Sequence, residues 1–436
     1  MASTKISFTP SSAGNRNKWT ISLWLKRSKI GVEQVIASAY GDSNNQTQIK
    51  FDSSDQLYFN DEHGGNTNGR IVSNAKYRDT NGFYHLVFIW DKDNSTSDDK
   101  LRMYVNGSRI TSFSNTGNAP SAVSEWNSGQ VQQFGAKSSS DYFDGIMSHI
   151  HFCDGYAYEP TEFGQTDSNG VWTIKTSPSV TYGTNGFFIL KDGNSVTDQS
   201  SNTNNWTASG NLTDLKDNPS NVFATWNPLM PNSITYSNGN TTCTQTADAN
   251  YRNAWTTIAT PTTGKWYAEF KAVSGFSAIN KAIGYIDISQ DFDADIHIEQ
   301  YSIGGSYGSN GRVSYNQTID TSVPTFTDGD IIGMALDLDN GKAYYHKNGT
   351  YINSGDPTSG STGTGGYTMT TGKEYTFASI TINQGGANVW SANFGNGYFG
   401  TTAVASAGTN ASGNGVFEYD VPTGYTALCT KGLNGE

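Results

Sequence analysis

The stretch that decides the fold is DGDIIGMALDLDNGKAYYHKNG, residues 328–349. From residue 332 to residue 338 every second residue is a large apolar side chain, which is the period-2 pattern of a half-buried strand: Ile332, Met334, Leu336 and Leu338. Asn340-Gly341 and Asn348-Gly349 follow, and such pairs favour tight turns because both residues tolerate positive φ angles. The stretch therefore predicts an antiparallel three-stranded meander that ends near Asn353.

The same pattern recurs outward along the chain. It is carried by KWTISLWLK (18–26), YHLVFIW (84–90), LRMYVNG (101–107) and KWYAEFKA (265–272). A further run, residues 142–152, predicts one face made of Ile146, Ser148, Ile150 and Phe152. No helix of more than about two turns is expected. The fold class is therefore all-β.

Length and composition set the domain organisation. A chain of 436 residues fits two domains of about 200 residues each. Aromatic residues make up 13% and charged residues 15%, with 48 glycines, which is typical of short strands joined by many turns. Chain-breaking residues concentrate in 218–221 and 227–231, so we place a boundary near residue 225, between domains 1–225 and 226–436.

The net charge argues against two classes of partner, and the cysteine spacing argues against a disulfide framework or a structural zinc site. The 27 basic and 39 acidic residues give a net charge of −12, which repels nucleic acid and anionic membranes. Cys153, Cys243 and Cys429 lie far apart and lack C-x-x-C spacing, so we expect three buried apolar side chains. The N-terminus shows no signal peptide and no window resembles a membrane span.

Four segments in order give the first half a family resemblance: Trp19–Lys26, Phe83–Val87, Leu101–Gly107 and Tyr142–Ile146. This half resembles a laminin-G-like sandwich of the concanavalin A type, with an extended C-terminal segment up to residue 225. The second half resembles a SPRY domain in Lys265–Phe270, Ala282–Tyr285, residues 328–349 and Val389–Gly395. Both resemblances imply tandem jelly-roll-type β-sandwiches, and SPRY domains bind partners through loops at one end.

A third resemblance spans both halves. Residues 214–229 and 416–433 resemble segments of virion proteins from tailed phages of aquatic bacteria. This resemblance implies a tail-fibre, head-fibre or other surface protein, made in the host cytoplasm and released by lysis without a signal peptide. It also implies other virion proteins as partners and a homo-oligomer, commonly a trimer. No N-terminal virion anchor or coiled coil is recognisable.

Acidic clusters raise the alternatives of metal binding and catalysis. The run 291–299 would place Asp293 and Asp295 on one strand face, where a solvated surface, a calcium site or a catalytic pair could result. Its spacing departs from the E-x-D-x-x-E pattern of laminarinase-like glycosidases. Asp91 and Asp93 begin a loop that is either a polar hairpin or a calcium site. This loop lacks the residue order of an EF-hand.

Aromatic residues outside clean strands are the candidate ligand contacts. Sugar rings stack on aromatic faces, and the candidates are Trp126, Trp206, Tyr307 and Tyr398, with core packing as the alternative for each. We therefore expect a non-catalytic virion surface protein that adheres to a host-surface glycan or protein. A capsid-decoration or inter-subunit docking protein is the first alternative, and a glycan hydrolase the second. No cofactor is expected, calcium aside.

Overall fold

The computed structural model describes residues 3–117, 119–191, 195–230, 234–245, 251–276, 281–291, 297–381 and 387–435. The chain forms two compact units: unit 1 contains residues 1–214 and 218–220, and unit 2 contains residues 215–217 and 221–436. They divide a few residues before the position placed near 225 from the sequence. Each is built from antiparallel sheets, so the all-β prediction is confirmed. Within the described ranges no helix is long and apolar enough to cross a bilayer.

Unit 1 is a sandwich of two sheets with a separate hairpin. Its strands are β1 Lys5–Phe8, β2 Lys18–Arg27, β3 Gln34–Asp42, β4 Asn45–Phe51, β5 Gln56–His63, β6 Asn66–Lys76, β7 Tyr84–Asp91, β8 Leu101–Val105, β9 Ser108–Arg109, β10 Phe113–Thr116, β11 Gln132–Phe134, β12 Gly145–Asp154, β13 Gly164–Thr166, β14 Trp172–Ile174, β15 Phe187–Ile189 and β16 Thr207–Ser209. One sheet has the order β10-β6-β5-β4-β3-β11-β1-β16, the other β15-β12-β2-β7-β8-β9, and β13 pairs with β14. Short 3₁₀ turns occupy Ser97–Asp99 and Pro160–Glu162.

Two adjacent rows of residues, each running across the strands, show why one face of the eight-stranded sheet is apolar and buried. Paired across six strands, the inward row is apolar: Ile6, Phe134, Ala37, Ile49, Phe59 and Ile71. The next row, one residue along each strand, is polar: Ser7, Gln133, Ser38, Gln48, Asn60 and Arg70. Because side chains alternate across a sheet, this register places every apolar member in the core.

The six-stranded sheet confirms one predicted face and corrects another. Trp19, Ile21, Leu23 and Leu25 of β2 all lie in the core, as their alternation predicts. In β12 the pairing with β2 shifts between Ser148 and His151, and His149 has a φ of 49°. Met147 therefore packs on the core before this bulge, and Ile150 and Phe152 after it. The single face predicted for Ile146, Ser148, Ile150 and Phe152 was wrong.

Unit 2 contains a nine-stranded and a six-stranded sheet. Its elements are β17 Ile234–Ser237, β18 Thr242–Gln245, β19 Arg252–Trp255, β20 Lys265–Ser274, β21 Lys281–Asp287, β22 Gly304–Gly308, β23 Arg312–Tyr315, β24 Thr318–Asp320, β25 Ile331–Asp337, β26 Lys342–Lys347, β27 Thr350–Tyr351, β28 Tyr367–Thr368, β29 Tyr375–Thr381, β30 Asn388–Asn393, β31 Tyr398–Phe399, β32 Thr402–Ala403, β33 Thr426–Ala427 and α1 Thr430–Asn434. The orders are β17-β18-β30-β20-β25-β26-β27, with β28 beside β26 and β33 beside β20, and β19-β29-β21-β22-β23-β24; β31 and β32 form a hairpin. Three 3₁₀ turns are Ile298–Gln300, Ile352–Ser354 and Gly360–Thr362.

The meander that opened the sequence analysis is present as β25, β26 and β27, with β27 ending at Tyr351. Asn348 and Gly349 have φ angles of 49° and 83° and form a two-residue turn, as Asn106 and Gly107 do in unit 1 with 48° and 79°. The turn between β25 and β26 is longer, because Asp337 pairs with Lys342 and four residues intervene. The strands thus agree with the prediction, and one of its turns is wider than a tight pair.

The outer face of the nine-stranded sheet is covered by a later part of the same unit. Phe417, Val421 and Tyr425 form a second apolar cluster with Tyr267 and Tyr344 of the sheet. The fully buried Glu269 carboxylate accepts the backbone N–H groups of residues 418 and 419, each at 2.8 Å. The segment 416–421 is therefore held to the sheet by an apolar cluster and a buried carboxylate together.

Candidate functional site

Three of the four predicted ligand aromatics belong to the cores. Trp126 is 0%, Trp206 4% and Tyr307 0% exposed. The first two pack in the core of unit 1, and Tyr307 lies on β22 in that of unit 2. A side chain without an exposed face cannot stack on a ligand, so the structure reassigns these three to packing. Tyr398 lies on β31 and is partly exposed.

The predicted calcium ligands do not gather around a cation site in the described residues. Asp91 is buried at the end of β7 and pairs with Lys18 at 3.2 Å, and Asp93 pairs with Lys92. Asp293 and Asp295 lie outside the described residues. Among the residues that are described, no group of three or more His, Cys, Asp or Glu side chains could hold a metal ion. The strand predicted for 291–299 is a 3₁₀ turn at its end, Ile298–Gln300.

A buried serine–histidine pair in unit 1 has its hydrogen bond in the wrong direction for a nucleophile. The Trp172 indole N–H donates to Nδ1 of His85 at 3.0 Å, and tryptophan can only donate. Burial lowers the pKa of His85 to about 3, so its ring is neutral and carries the proton on Nε2. Nε2–H therefore donates to Ser22 Oγ at 2.9 Å. A base must accept the serine proton, so this pair is structural.

Buried carboxylates in unit 1 hold loops in place. Asp61 accepts hydrogen bonds from Thr47, Asn68, Ser124 and the backbone N–H of Glu125. Burial raises the pKa of Asp61 to about 6. Through this one carboxylate the loop residues Ser124 and Glu125 are joined to Thr47 of β4 and Asn68 of β6. Asp61 therefore has a structural role, because its carboxylate is already hydrogen-bonded to groups of the protein itself.

The most distinctive exposed group in unit 1 is a pair of stacked tyrosines after β12, here called the tyrosine platform: Tyr156 and Tyr158. Tyr156 is 40% exposed, and its ring lies 5.5 Å from that of Tyr158 at an angle of 11°. Both are held through Thr20, whose hydroxyl donates to the carbonyl of Tyr156 and accepts the N–H of Tyr158, each at 2.8 Å. One buried threonine of β2 thus sets the position of both rings.

The platform rests on a series of aromatic rings. Tyr158 meets Phe163 edge-on at 6.4 Å, Phe163 lies 5.2 Å from His151, and His151 stacks on Phe188 at 4.0 Å. Phe163, His151 and Phe188 are all buried. Because the inner rings are packed, the outer rings lose little conformational freedom when a ligand binds.

An open cavity of about 560 Å³, here called the loop cavity, adjoins the platform. It is lined by Val180, Thr181, Tyr182, Gly183, Thr184, Ser201 and Asn202. The N–H of Thr181 donates to the Tyr158 hydroxyl at 3.1 Å, which joins cavity and platform directly. Tyr182 stacks on His151 at 6.1 Å, and its hydroxyl lies 3.0 Å from Nδ1 of that ring. Platform and cavity therefore share the same buried support.

Asparagine side chains join the two loops that form the cavity. The Asn202 amide donates to the carbonyls of Gly183 and Gly186, and Asn204 donates to those of Thr184 and Gly186. Gly183 has a φ of 71°, and an added Cβ would lie 2.0 Å from the carbonyl oxygen of Asp154. Glycine is required at this position for both reasons. The cavity wall is thus built by local hydrogen bonds and close backbone packing.

The chemistry on offer is binding through faces and hydroxyl groups. The cavity presents hydroxyl, amide and backbone groups, with no ionisable side chain among its lining residues except the Tyr182 phenol. Burial raises the pKa of Tyr182 above its ordinary value, so the phenol stays protonated. An exposed aromatic face beside neutral polar groups suits a ligand with both apolar faces and hydroxyls.

Comparison with known proteins finds a family model that matches part of unit 1. Residues 2–162 match the concanavalin A-like lectin/glucanases superfamily. The platform falls inside this match, and the loop cavity lies beyond it. No curated protein matches the chain.

Solved structures with similar folds include SPRY domains and a pentraxin. The SPRY domain of human HERC1 has a TM-score of 0.31 at 16% identity, covering 38% of this chain and 96% of that one. A human SPRY domain has a TM-score of 0.29 at 12% identity, covering 37% and 94%. The heptameric SAP-like pentraxin of Limulus polyphemus has a TM-score of 0.27 at 16% identity, covering 36% and 72%.

The platform was not predicted from the sequence, because its two tyrosines directly follow a strand and read as part of it. The signal was present in GYAYEP, residues 155–160, where two tyrosines stand between a glycine and a proline just after a strand. Such flanking residues end a strand and project the following side chains from the sheet.

Proposed function

We propose that the chain is a virion surface protein that adheres to a glycan of the host envelope through unit 1, without catalysing a reaction on it. The observation that carries this proposal is the tyrosine platform, a supported pair of stacked rings in which Tyr156 is exposed and Tyr158 partly exposed, beside a neutral polar cavity. The family match of residues 2–162 supports it, since that superfamily includes lectins by its own description. The virion assignment rests on the phage-like segments 214–229 and 416–433.

The carboxylates beneath the cavity loops support binding over hydrolysis. Asp154 is 5% exposed and accepts hydrogen bonds from the backbone of Asn15 and Asn185 and from the Asn127 amide. Asp198 is 8% exposed and accepts the N–H groups of residues 188, 200 and 204. A glycosidase needs two carboxyl groups that face the sugar, one on each side of the scissile bond. These two face their own loops.

Binding of labelled protein to intact host cells tests the proposal. Tyr156→Ala removes the exposed ring, and we expect it to reduce cell binding by about tenfold, which corresponds to about 1.4 kcal/mol. Tyr40→Ala is the matched control, because Tyr40 is a partly exposed tyrosine on β3 of the other sheet. Equal binding by the Tyr156→Ala variant and the wild type would refute adhesion through the platform. Absence of any cell binding would favour a structural role between virion subunits.

A further inference from the structure

We infer that the platform and loop cavity select neutral pyranose residues and reject acidic sugars. The inference rests on the proposed function and names the class of glycan that this same site takes. It follows from three properties of the described residues: the charge of the cavity lining, the buried carboxylates bonded to residues adjacent to it in sequence, and the shape of the platform.

The first property is an uncharged lining. Thr181, Thr184, Ser201 and Asn202 supply hydroxyl and amide groups, and the cavity has no arginine or lysine among its lining residues. Recognition of a sugar carboxylate or phosphate usually relies on arginine or lysine, because charge-assisted hydrogen bonds repay the loss of water from the anion. Neutral hydroxyls need no such partner and match the groups that are present.

The second property is a pair of buried carboxylates that are hydrogen-bonded to residues adjacent in sequence to the lining. Asp154 accepts the N–H of Asn185, the residue after Thr184, and Asp198 accepts the hydroxyl and N–H of Ser200, the residue before Ser201. Neither aspartate forms an ion pair within the described part of the chain. Two buried carboxylates without an ion-pair partner disfavour an anion bound near the residues they hold, and the surrounding protein screens them less than water would.

The basic side chains on neighbouring elements are occupied elsewhere. Arg102 pairs with Glu159, the residue after Tyr158, and the Lys175 amine donates to the carbonyl of Thr161 at 2.7 Å. Lys191 lies over the Phe188 ring at 5.9 Å. The Arg102–Glu159 pair adds no net charge beside the platform. Lys175 and Lys191 keep their positive charges in these contacts, and neither residue lines the cavity.

The third property is a flat, rigid stacking surface. A pyranose ring presents a C–H face that packs on an aromatic ring, whereas an open-chain polyol has the same hydroxyls without that face. The stack from Tyr156 down to Phe188 keeps this surface in place. A cavity of 560 Å³ lies within the range of about 300–1,000 Å³ that small-ligand sites occupy. One pyranose ring of a glycan would stack on the platform, and the next sugar residue of the same glycan would occupy the cavity.

Ligand-observed NMR titration of the full chain tests the inference with defined probes. The neutral probes are the methyl glycosides of glucose, galactose, mannose and N-acetylglucosamine. The acidic probes are methyl glucuronide and N-acetylneuraminic acid, and sorbitol is the polyol control. We expect at least one neutral glycoside to bind and both acidic sugars to bind about tenfold more weakly or not at all, with a smaller difference at high salt.

Variants locate the binding. Tyr156→Ala should weaken the neutral glycoside about tenfold, Tyr156→Phe should retain its affinity because the ring remains, and Tyr40→Ala should leave it unchanged. Matched thermal unfolding curves establish that the Tyr156→Ala variant is folded, as expected for a side chain that is 40% exposed.

Specific outcomes overturn the inference. The first is that an acidic sugar binds more tightly than every neutral glycoside. The second is that sorbitol binds as tightly as the neutral glycosides. The third is that a neutral glycoside binds the Tyr156→Ala variant and the wild type with equal affinity. If Tyr156→Ala abolishes host-cell binding while an acidic sugar is the preferred probe, the adhesive function stands and the selectivity proposed here fails. If neutral glycosides bind at the platform but host cells do not, the selectivity stands and the adhesive role fails.

Discussion

Replacing Glu269 with glutamine should remove a large part of the pH dependence of unit 2 stability. The Glu269 carboxylate is fully buried, and its Oε1 accepts hydrogen bonds from the Tyr267 hydroxyl at 3.1 Å and the backbone N–H of Tyr419. Burial raises the pKa of Glu269 from 4.5 to about 7. The hydrogen bonds to its charged form oppose that rise and are outweighed.

The sign of the pH effect follows from proton binding. The folded state holds the Glu269 proton more tightly than the unfolded state, so it carries more protons between about pH 4.5 and 7. The contribution of Glu269 to the unfolding free energy is fully present below pH 4.5 and is lost as the pH rises through about 7. A shift of about 2.5 pKa units at 1.36 kcal/mol each amounts to about 3 kcal/mol.

Urea unfolding of the full chain at several pH values between 4 and 8 measures this effect. The unfolding free energy of the wild type minus that of Glu269→Gln gives the contribution of this side chain. We expect this difference to fall by about 3 kcal/mol from pH 4.5 to 7.5. Glutamine places an amide N–H₂ against donors, so we expect the variant to be less stable at low pH by about 1–3 kcal/mol. Asp61→Asn is the control, because it changes unit 1 and should leave the unit 2 transition alone.

A pH-independent difference between wild type and Glu269→Gln would refute the reasoning. A difference that grows with pH would show that the donors around the carboxylate, which are the Tyr267 hydroxyl, the Asn393 amide and two backbone N–H groups, outweigh its burial. Either result would mean that the segment 416–421 is held by a carboxylate that remains ionised throughout the neutral range.

Three further substitutions have expected outcomes. Trp172→Phe removes the indole donor to His85 and should lower the unfolding free energy of unit 1 by about 1–3 kcal/mol in urea titrations. Asn348→Ala places alanine at a φ of 49° and should cost about 1 kcal/mol of unit 2 stability, seen as a lower Tm. Asn202→Ala removes two loop hydrogen bonds. We expect weaker glycoside binding in an NMR titration and only a small decrease in Tm by calorimetry.

Each of these three has a contrary result. An unchanged stability of Trp172→Phe would contradict a structural contribution of the hydrogen bond between the Trp172 indole and His85. Asn348→Ala and Asn348→Gly both remove the side-chain hydrogen bonds to Ile331 and Asp330, so glycine, which tolerates the positive φ angle, should be the more stable of the two variants. Equal effects of both would contradict the turn argument. If Asn202→Ala and the wild type bound a glycoside equally, the loop cavity would not be part of the site.

The strands were predictable because their period-2 patterns face a real core. Ile332, Met334 and Leu336 of β25 and Trp266 and Phe270 of β20 all lie in it, as expected. A pattern of alternation cannot reveal a bulge. His149 inverts the face of β12 through a positive φ angle that the alternation of apolar and polar residues does not show.

Burial outside strands was the harder part. Trp126 stands in a loop by sequence, yet it packs between Trp19 and Phe134 at ring distances of 6.2 and 5.8 Å. Local sequence does not show whether a loop folds inward, because that depends on space left by distant strands. The same limit hid the platform, whose support on Phe163 and His151 exists only after folding.

The way unit 2 closes has a consequence for engineering. Residues 222–224 and 428–430 lie side by side: the N–H of Thr430 donates to the carbonyl of Val222, and the N–H of Ala224 to that of Leu428, both at 2.9 Å. Joining these neighbouring segments with a short linker and opening the chain in the surface loop 355–366 would give a circular permutant with the same contacts. The same adjacency makes unit 2 suitable for insertion into a loop of another protein, since host strands need to part by only a few ångströms to receive it.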